Sequence, residues 1–152
     1  MKADQKFDKF ILRHFNNWEL YLHEAQFPYL GRTYAWAKRE DADLITQMTS
    51  EETSELFTSV IPLWDSAMQE FLGENYSRPN VAILGNTTPH LHAHLIPRLT
   101  KPINKFGIEF IDPNPKGNYA PYEKRKLSEE LLMEIKDTLI LGLTSQDLLR
   151  NL

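Results

Sequence analysis

The segment His90-Leu91-His92-Ala93-His94-Leu95 alternates imidazole with aliphatic side chains, and no other part of the chain is as well suited to chemistry. Consecutive side chains of a β-strand point to opposite faces. A strand here therefore predicts three imidazoles on one face, turned to a cleft, and Leu91, Ala93 and Leu95 on the other, packed into the core. Three such rings are poor packing groups, because each carries two nitrogens that need partners once buried. Only His14 and His23 lie elsewhere in the chain.

Two chemistries fit these residues. In the first, His90 and His92 chelate a metal ion, since histidines two apart on a strand can share one ligand. His90 and His94 would lie roughly 13 Å apart at Cα on a regular strand, so a third ligand would come from His23, His14 or Glu24. In the second, a neutral imidazole is the nucleophile, with its neighbours fixing its tautomer and handling protons. A non-catalytic nucleotide-binding protein on the same scaffold is the third alternative.

Composition narrows the setting. The 152 residues are 41% hydrophobic and 25% charged, which suits one folded domain spanning 1–152. Cysteine is absent, which removes disulfides, thiol nucleophiles and cysteine-held zinc. The formal charge of −4 opposes a nucleic-acid polymer as partner but allows a small anionic substrate met by local positive charge. A polar start and the lack of any apolar run of membrane-spanning length lead to the expectation of a cytoplasmic protein without a membrane partner.

The positioning elements follow from periodicity. Phe7, Phe10, Ile11 and Phe15 predict a short N-terminal helix. Trp18–Glu24 and Arg32–Arg39 predict two antiparallel strands, joined by the turn Phe27-Pro28-Tyr29-Leu30-Gly31. Thr49 and Glu52 form a capping-box pair ahead of an apolar stripe that includes Leu56, Phe57, Val60, Trp64 and Met68. Pro62 predicts a kink in that helix and Gly73 its end. Asn80–Leu84 reads as a buried strand, and a tight loop Gly85–Pro89 leads into the histidines. Residues 99–126 read as a long irregular segment with one extended stretch, Phe106–Phe110. A final helix starts at Ser128, with Leu131, Leu132, Ile135 and Leu139 inside.

The sequence resembles the HIT (histidine-triad) family of nucleotide hydrolases and transferases. The family signature, histidine–apolar–histidine–apolar–histidine–apolar–apolar, is met by His90-Leu91-His92-Ala93-His94-Leu95-Ile96, and Pro97-Arg98 also matches many members. The resemblance covers residues 18–98, with 99–152 as a C-terminal loop and helix extension. Asn118-Tyr119-Ala120-Pro121-Tyr122 is similar to the tail of a subgroup likened to diadenosine polyphosphate hydrolases. It implies an α+β, HIT-like domain, an antiparallel sheet of about five strands with helices packed against it, in a homodimer.

The resemblance further implies cleavage at the α-phosphate of a nucleotide conjugate, such as a dinucleoside polyphosphate, through a covalent nucleotidyl-His92. His90 and His94 would bind phosphate oxygens and orient His92. Glu24 would hold the ribose. No cofactor is required, although Mg²⁺ travels with polyphosphate substrates. Two positions depart from the family pattern: Arg32 follows Gly31 where histidine is common, and Asn86 follows Gly85 where glutamine is familiar. Arg32, Asn86, Thr88 and Arg98 are the candidate phosphate donors, with Lys38 as further positive charge. Lys116, Tyr119 and Tyr122 would close over the substrate from the long segment.

Overall fold

The protein is described by a computed structural model covering residues 1–151. Its centre is a five-stranded antiparallel sheet in the order β1-β2-β3-β5-β4. The strands are β1 (Ile11–His14), β2 (Trp18–Leu22), β3 (Thr33–Ala37), β4 (Tyr76–Ala82) and β5 (His92–Leu99). A separate hairpin pairs β6 (Ile103–Lys105) with β7 (Ile108–Phe110). This is the HIT-like α+β fold expected from the sequence.

Alternation in the sequence divides the sheet into two faces. Trp18, Leu20 and Leu22 of β2, Ala35 and Ala37 of β3, and Ala93 and Leu95 of β5 are buried in one apolar cluster. That cluster includes Leu63, Trp64, Ala67 and Met68 of α2 (Ile61–Leu72) and Leu132, Ile135, Leu139 and Leu143 of α3 (Glu129–Arg150). Two buried indoles tie the helical layer down: Trp64 Nε1 donates to the Gly31 carbonyl, and Trp18 Nε1 to the Glu52 carbonyl. The helices thus cover one face, leaving Tyr34, Trp36, His92 and His94 on the other.

The capping box at Thr49 forms as predicted and starts α1 (Ser50–Glu55), with reciprocal bonds between Thr49 and Glu52. At Pro62 the helix changes its winding: Leu56–Val60 form a π-helical turn, and Pro62 falls in the first turn of α2, just beyond it. The wider turn rotates Phe57 outward, so it is 52% exposed rather than part of the apolar stripe. Gly73, at φ 64°, ends α2 as expected.

Three other expectations are corrected. The N-terminal helix is a 3₁₀ segment ending at Phe10, and Ile11–His14 extend because they pair with β2. The strand predicted for Asn80–Leu84 runs from Tyr76 to Ala82, at the sheet edge, and leaves Val81 and Leu84 exposed. An edge position also explains how Pro79 is tolerated there. The histidine strand begins only at His92; His90 and Leu91 precede it.

The β2–β3 turn is braced from inside. Gln26, fully buried, donates from Nε2 to the carbonyls of His23 and Arg32 and accepts the Gly31 amide on Oε1. Gly31 has φ 97°, and a Cβ there would lie 2.5 Å from Met68 Sδ. These contacts fix where the chain leaves β2 at His23 and enters β3 after Arg32.

Candidate active site

Antiparallel register sets the histidines against aromatic partners. His92 lies opposite Trp36 and His94 opposite Tyr34. The Trp36 ring stacks on His90 at 4.1 Å between centroids and lies 5.5 Å from His92. The His92 and His94 rings are 5.0 Å apart, and His94 is 5.7 Å from His23 at the end of β2. His92, His94 and His23 therefore run in a row along one face, with His90 stacked on Trp36.

Their hydrogen bonds separate their chemistry. His92 Nδ1 lies 2.6 Å from the His90 carbonyl oxygen. A carbonyl only accepts, so Nδ1 carries the proton and Nε2 keeps the lone pair. His90 Nε2 likewise donates to the Ala37 carbonyl, at 2.7 Å. The His90 ring is completely buried, and its Nδ1 has no partner among the described residues. This revises the expectation that His90 binds phosphate oxygens: its main-chain carbonyl orients His92, and its own ring is sealed against Trp36. His94 has Nδ1 sealed and unpartnered, which leaves Nε2 as its outlet to the cleft.

Burial is the main influence on the other rings. It lowers His90 below the usual imidazole range. It brings His94 down to about 4, helped by the charge of Arg32 and by His92. His94 is thus a neutral ring at neutral pH, with a lone pair that can accept a proton.

A cavity of about 420 Å³ opens over this row, lined by His92, His94, His23, Glu24, Tyr34, Trp36 and Thr88. Residues Met1–Asp4 and Phe7 form its far wall. A second hollow, about 320 Å³, meets His92 from the other side and is lined by Asn86, Gly85, Ile83 and Leu44 among others. His92 stands at the junction of the two, 9% exposed.

The remaining candidates divide accordingly. Glu24 and Thr88 border the larger cavity, and Asn86 the smaller. Arg32 borders neither; it is 4% exposed, donates from Nη1 to Tyr122 Oη at 2.6 Å, and lies under the rings of Tyr119 and Tyr122. Its charge still reaches His23 and His94. Those tyrosines pack on Arg32 and Tyr29 instead of closing over His92, and Lys116 is exposed. Lys38 pairs with Glu19 on the surface.

Arg98 is not brought to the cleft. Its guanidinium makes a two-pronged pair with Asp112 (2.7 and 3.0 Å) and donates further to Asn80, Gly117 and Asn114. Every donor is engaged, all but the one to Asn80 with the long segment, so Arg98 anchors that segment to the sheet. Burial alone would raise the Asp112 pKa, yet the Arg98 bonds and charge, with the Asn114 and Leu99 amides, hold it below the carboxylate range.

Strand parity alone could have found His23, Tyr34 and Trp36, since each shares a face with the triad. Among the described residues no three His, Cys, Asp or Glu side chains gather as a metal site. None of the described helices is long and apolar enough to cross a membrane.

Comparison with known proteins agrees with this geometry. Residues 37–101 match the HIT domain family model. A histidine triad protein from Marinobacter aquaeolei VT8 superposes with TM-score 0.70 at 20% identity, covering 95% of this chain and 97% of that one. A histidine triad protein from Bradyrhizobium japonicum gives 0.68 at 17%, with 93% and 97% covered. A Zn-bound histidine triad family protein from Mycobacterium smegmatis gives 0.62 at 18%, with 91% and 86% covered. No curated protein matches the chain. The HIT domain match covers residues 37–101, and the likeness to the histidine triad structures extends the shared fold over nearly the whole chain.

Proposed function

We propose that the protein is a nucleotidyl hydrolase or transferase that acts at the α-phosphate of a nucleotide conjugate, with His92 as nucleophile. One observation carries this reading. The bond from His92 Nδ1 to the His90 carbonyl selects the tautomer whose Nε2 lone pair is free at the cavity.

The chemistry follows from that nitrogen. Nε2 attacks the α-phosphorus, the bond to the bridging atom breaks, and the leaving group departs with the electron pair and takes up a proton. The positive charge that develops on His92 is met by the His90 carbonyl, already placed to accept from Nδ1. Water then attacks the phosphorus of the nucleotidyl-His92, its proton leaves, and a nucleoside monophosphate is released with His92 restored. Another acceptor in place of water would make the reaction a transfer. His94, neutral and opening through Nε2, is the group placed to exchange protons and meet phosphate oxygen. Glu24 and Thr88 border the same cavity and Asn86 the adjoining one; they supply polar contacts to ribose and phosphate.

In the same reading residues 1–152 form one HIT-like domain, active in a cytoplasmic homodimer on dinucleoside polyphosphates. No cofactor of its own is needed, and Mg²⁺ arrives with the substrate.

The test is intact-protein mass after rapid quenching with dinucleoside polyphosphates and nucleoside phosphoramidates. The parent gains an acid-labile nucleotidyl mass. His92→Ala gains none, and its turnover falls by about a thousandfold or more. Absence of both adduct and turnover across the panel refutes the enzyme reading.

A further inference from the structure

His23 has no part in the reaction as described so far, although its position is unusual for a bystander. It follows the last residue of β2 and continues the parity that points Tyr21 to the histidine face. Its ring lies 5.7 Å from His94 and edge-on to Tyr34 at 5.9 Å. It borders the cavity over His92, and also a second cavity of about 670 Å³ beyond Glu24. Its Nδ1 accepts the Ala25 amide at 2.9 Å, which forces the proton of the neutral ring onto Nε2. That N–H has no partner among the described residues, and it is not sealed from solvent.

We propose that His23 binds the substrate directly, its Nε2–H donating a hydrogen bond to the phosphoryl group next to the α-phosphate, the one that departs with the leaving group. This rests on the reading of His92 as nucleophile, because that reading places the α-phosphate over His92 and the next group beyond His94. The row of rings runs His92, His94, His23, so His23 meets what lies one step further along the substrate. Its continuity with the second cavity gives the remainder of the leaving group a way out. That cavity is lined by Lys9, Lys124, Arg125 and Lys126 against Glu24 and Glu129, the last paired with Lys9, a positive excess in keeping with an anion.

The donor is fixed in two ways. The Ala25 amide holds the tautomer, and burial above all, with Arg32, His94 and His92, lowers His23 to about 3. The ring therefore offers one N–H without charge across the working pH range. Gln26 pins the same stretch of backbone by donating to the His23 carbonyl.

Two variants separate donation from packing. His23→Phe keeps a ring against His94 and Tyr34 but removes the donor; His23→Gln loses the ring and keeps an N–H. Calorimetric titration uses the α,β-methylene analogues of ATP and GTP, which report the second phosphoryl group without turnover, beside AMP and GMP, which lack it. His23→Phe should bind the better methylene analogue at least about tenfold more weakly, as expected for one lost bond to a charged group. Its affinity for the monophosphate should stay within about threefold of the parent, and His23→Gln should recover the analogue to within about threefold.

Unchanged analogue binding by His23→Phe overturns the proposal. So does an equal loss for analogue and monophosphate, or a failure of His23→Gln to rescue. A parent that binds neither class overturns both this and the proposed function. A parent that binds the analogues yet forms no adduct with hydrolysable substrates refutes the nucleophile reading alone, and the His23→Phe comparison still decides the binding role.

Discussion

Replacing Asp112 by alanine tests what Arg98 is for. In the folded protein the two side chains are 3% and 1% exposed and joined by two charge-assisted hydrogen bonds. Each such bond contributes about 1.5–3 kcal/mol, so losing both costs about 3–6 kcal/mol. Breaking one side of a buried ion pair generally costs about 3–5 kcal/mol, which brings the two routes together near about 4 kcal/mol. Asn80, Gly117 and Asn114 still accept from Arg98, so the cation is not abandoned altogether. For a chain of this length about 4 kcal/mol corresponds to a fall in Tm of about 8–16 °C. Thermal unfolding followed by circular dichroism at neutral pH measures it.

The pH dependence of that gap has a definite sign. The folded Asp112 carboxyl sits below its ordinary value, chiefly because Arg98 outweighs the effect of burial. Its stabilisation is complete above the unfolded pKa of about 3.9 and is lost as pH falls through the lower folded value. Parent and variant should therefore differ most at neutral pH and converge below about pH 3. A fall in Tm of less than about 3 °C at pH 7 refutes the argument, because a solvated Arg98 could then turn to the cleft, as the sequence alone suggests.

The histidines give a second pH prediction, of the same sign. His23 and His94 lie at about 3 and about 4 in the fold, against 6.5 when unperturbed, so the unfolded chain takes up their protons first. Stability therefore falls as pH drops from about 6.5 towards 4, and proton NMR of the ring resonances should show neither group titrating above pH 5.5. An inflection near 6.5 in either resonance contradicts the burial argument. Gly31→Ala should lower Tm by about 4–20 °C in the same melting assay, since a left-handed alanine and an overpacked Met68 together cost about 2–5 kcal/mol. A variant as stable as the parent shows that Met68 moves aside freely.

The sequence exposed the triad face because two short-range rules agree there. Alternation on β5 places Ala93 and Leu95 in the core, and alternation on β3 places Tyr34 and Trp36 opposite His94 and His92. The cap at Thr49 and the stop at Gly73 are likewise local in their physics. What stayed hidden depends on distant partners. Parity assigns Arg98 to the histidine face, but the segment Asp112–Gly117 returns to enclose it, and nothing near Arg98 announces this. His90 shares the parity of its neighbours, yet the carbonyl of Ala37 captures its ring. The π turn at Leu56–Val60 escaped for the opposite reason: ordinary helical periodicity assumes one constant twist, and this helix changes its twist ahead of Pro62.

The stacking of Trp36 on His90 and beside His92 also has an optical side. The other two indoles, Trp18 and Trp64, are wholly buried, hydrogen-bonded to main-chain carbonyls and no part of the cavity lining, so their emission forms a steady background. Of the three, Trp36 alone borders the cavity, its ring centroid 5.5 Å from that of His92, the proposed nucleophile. The fold thus carries an intrinsic fluorophore beside the proposed nucleophile, and attachment of a nucleotide to His92 should show in time in the light of a single residue, without a label.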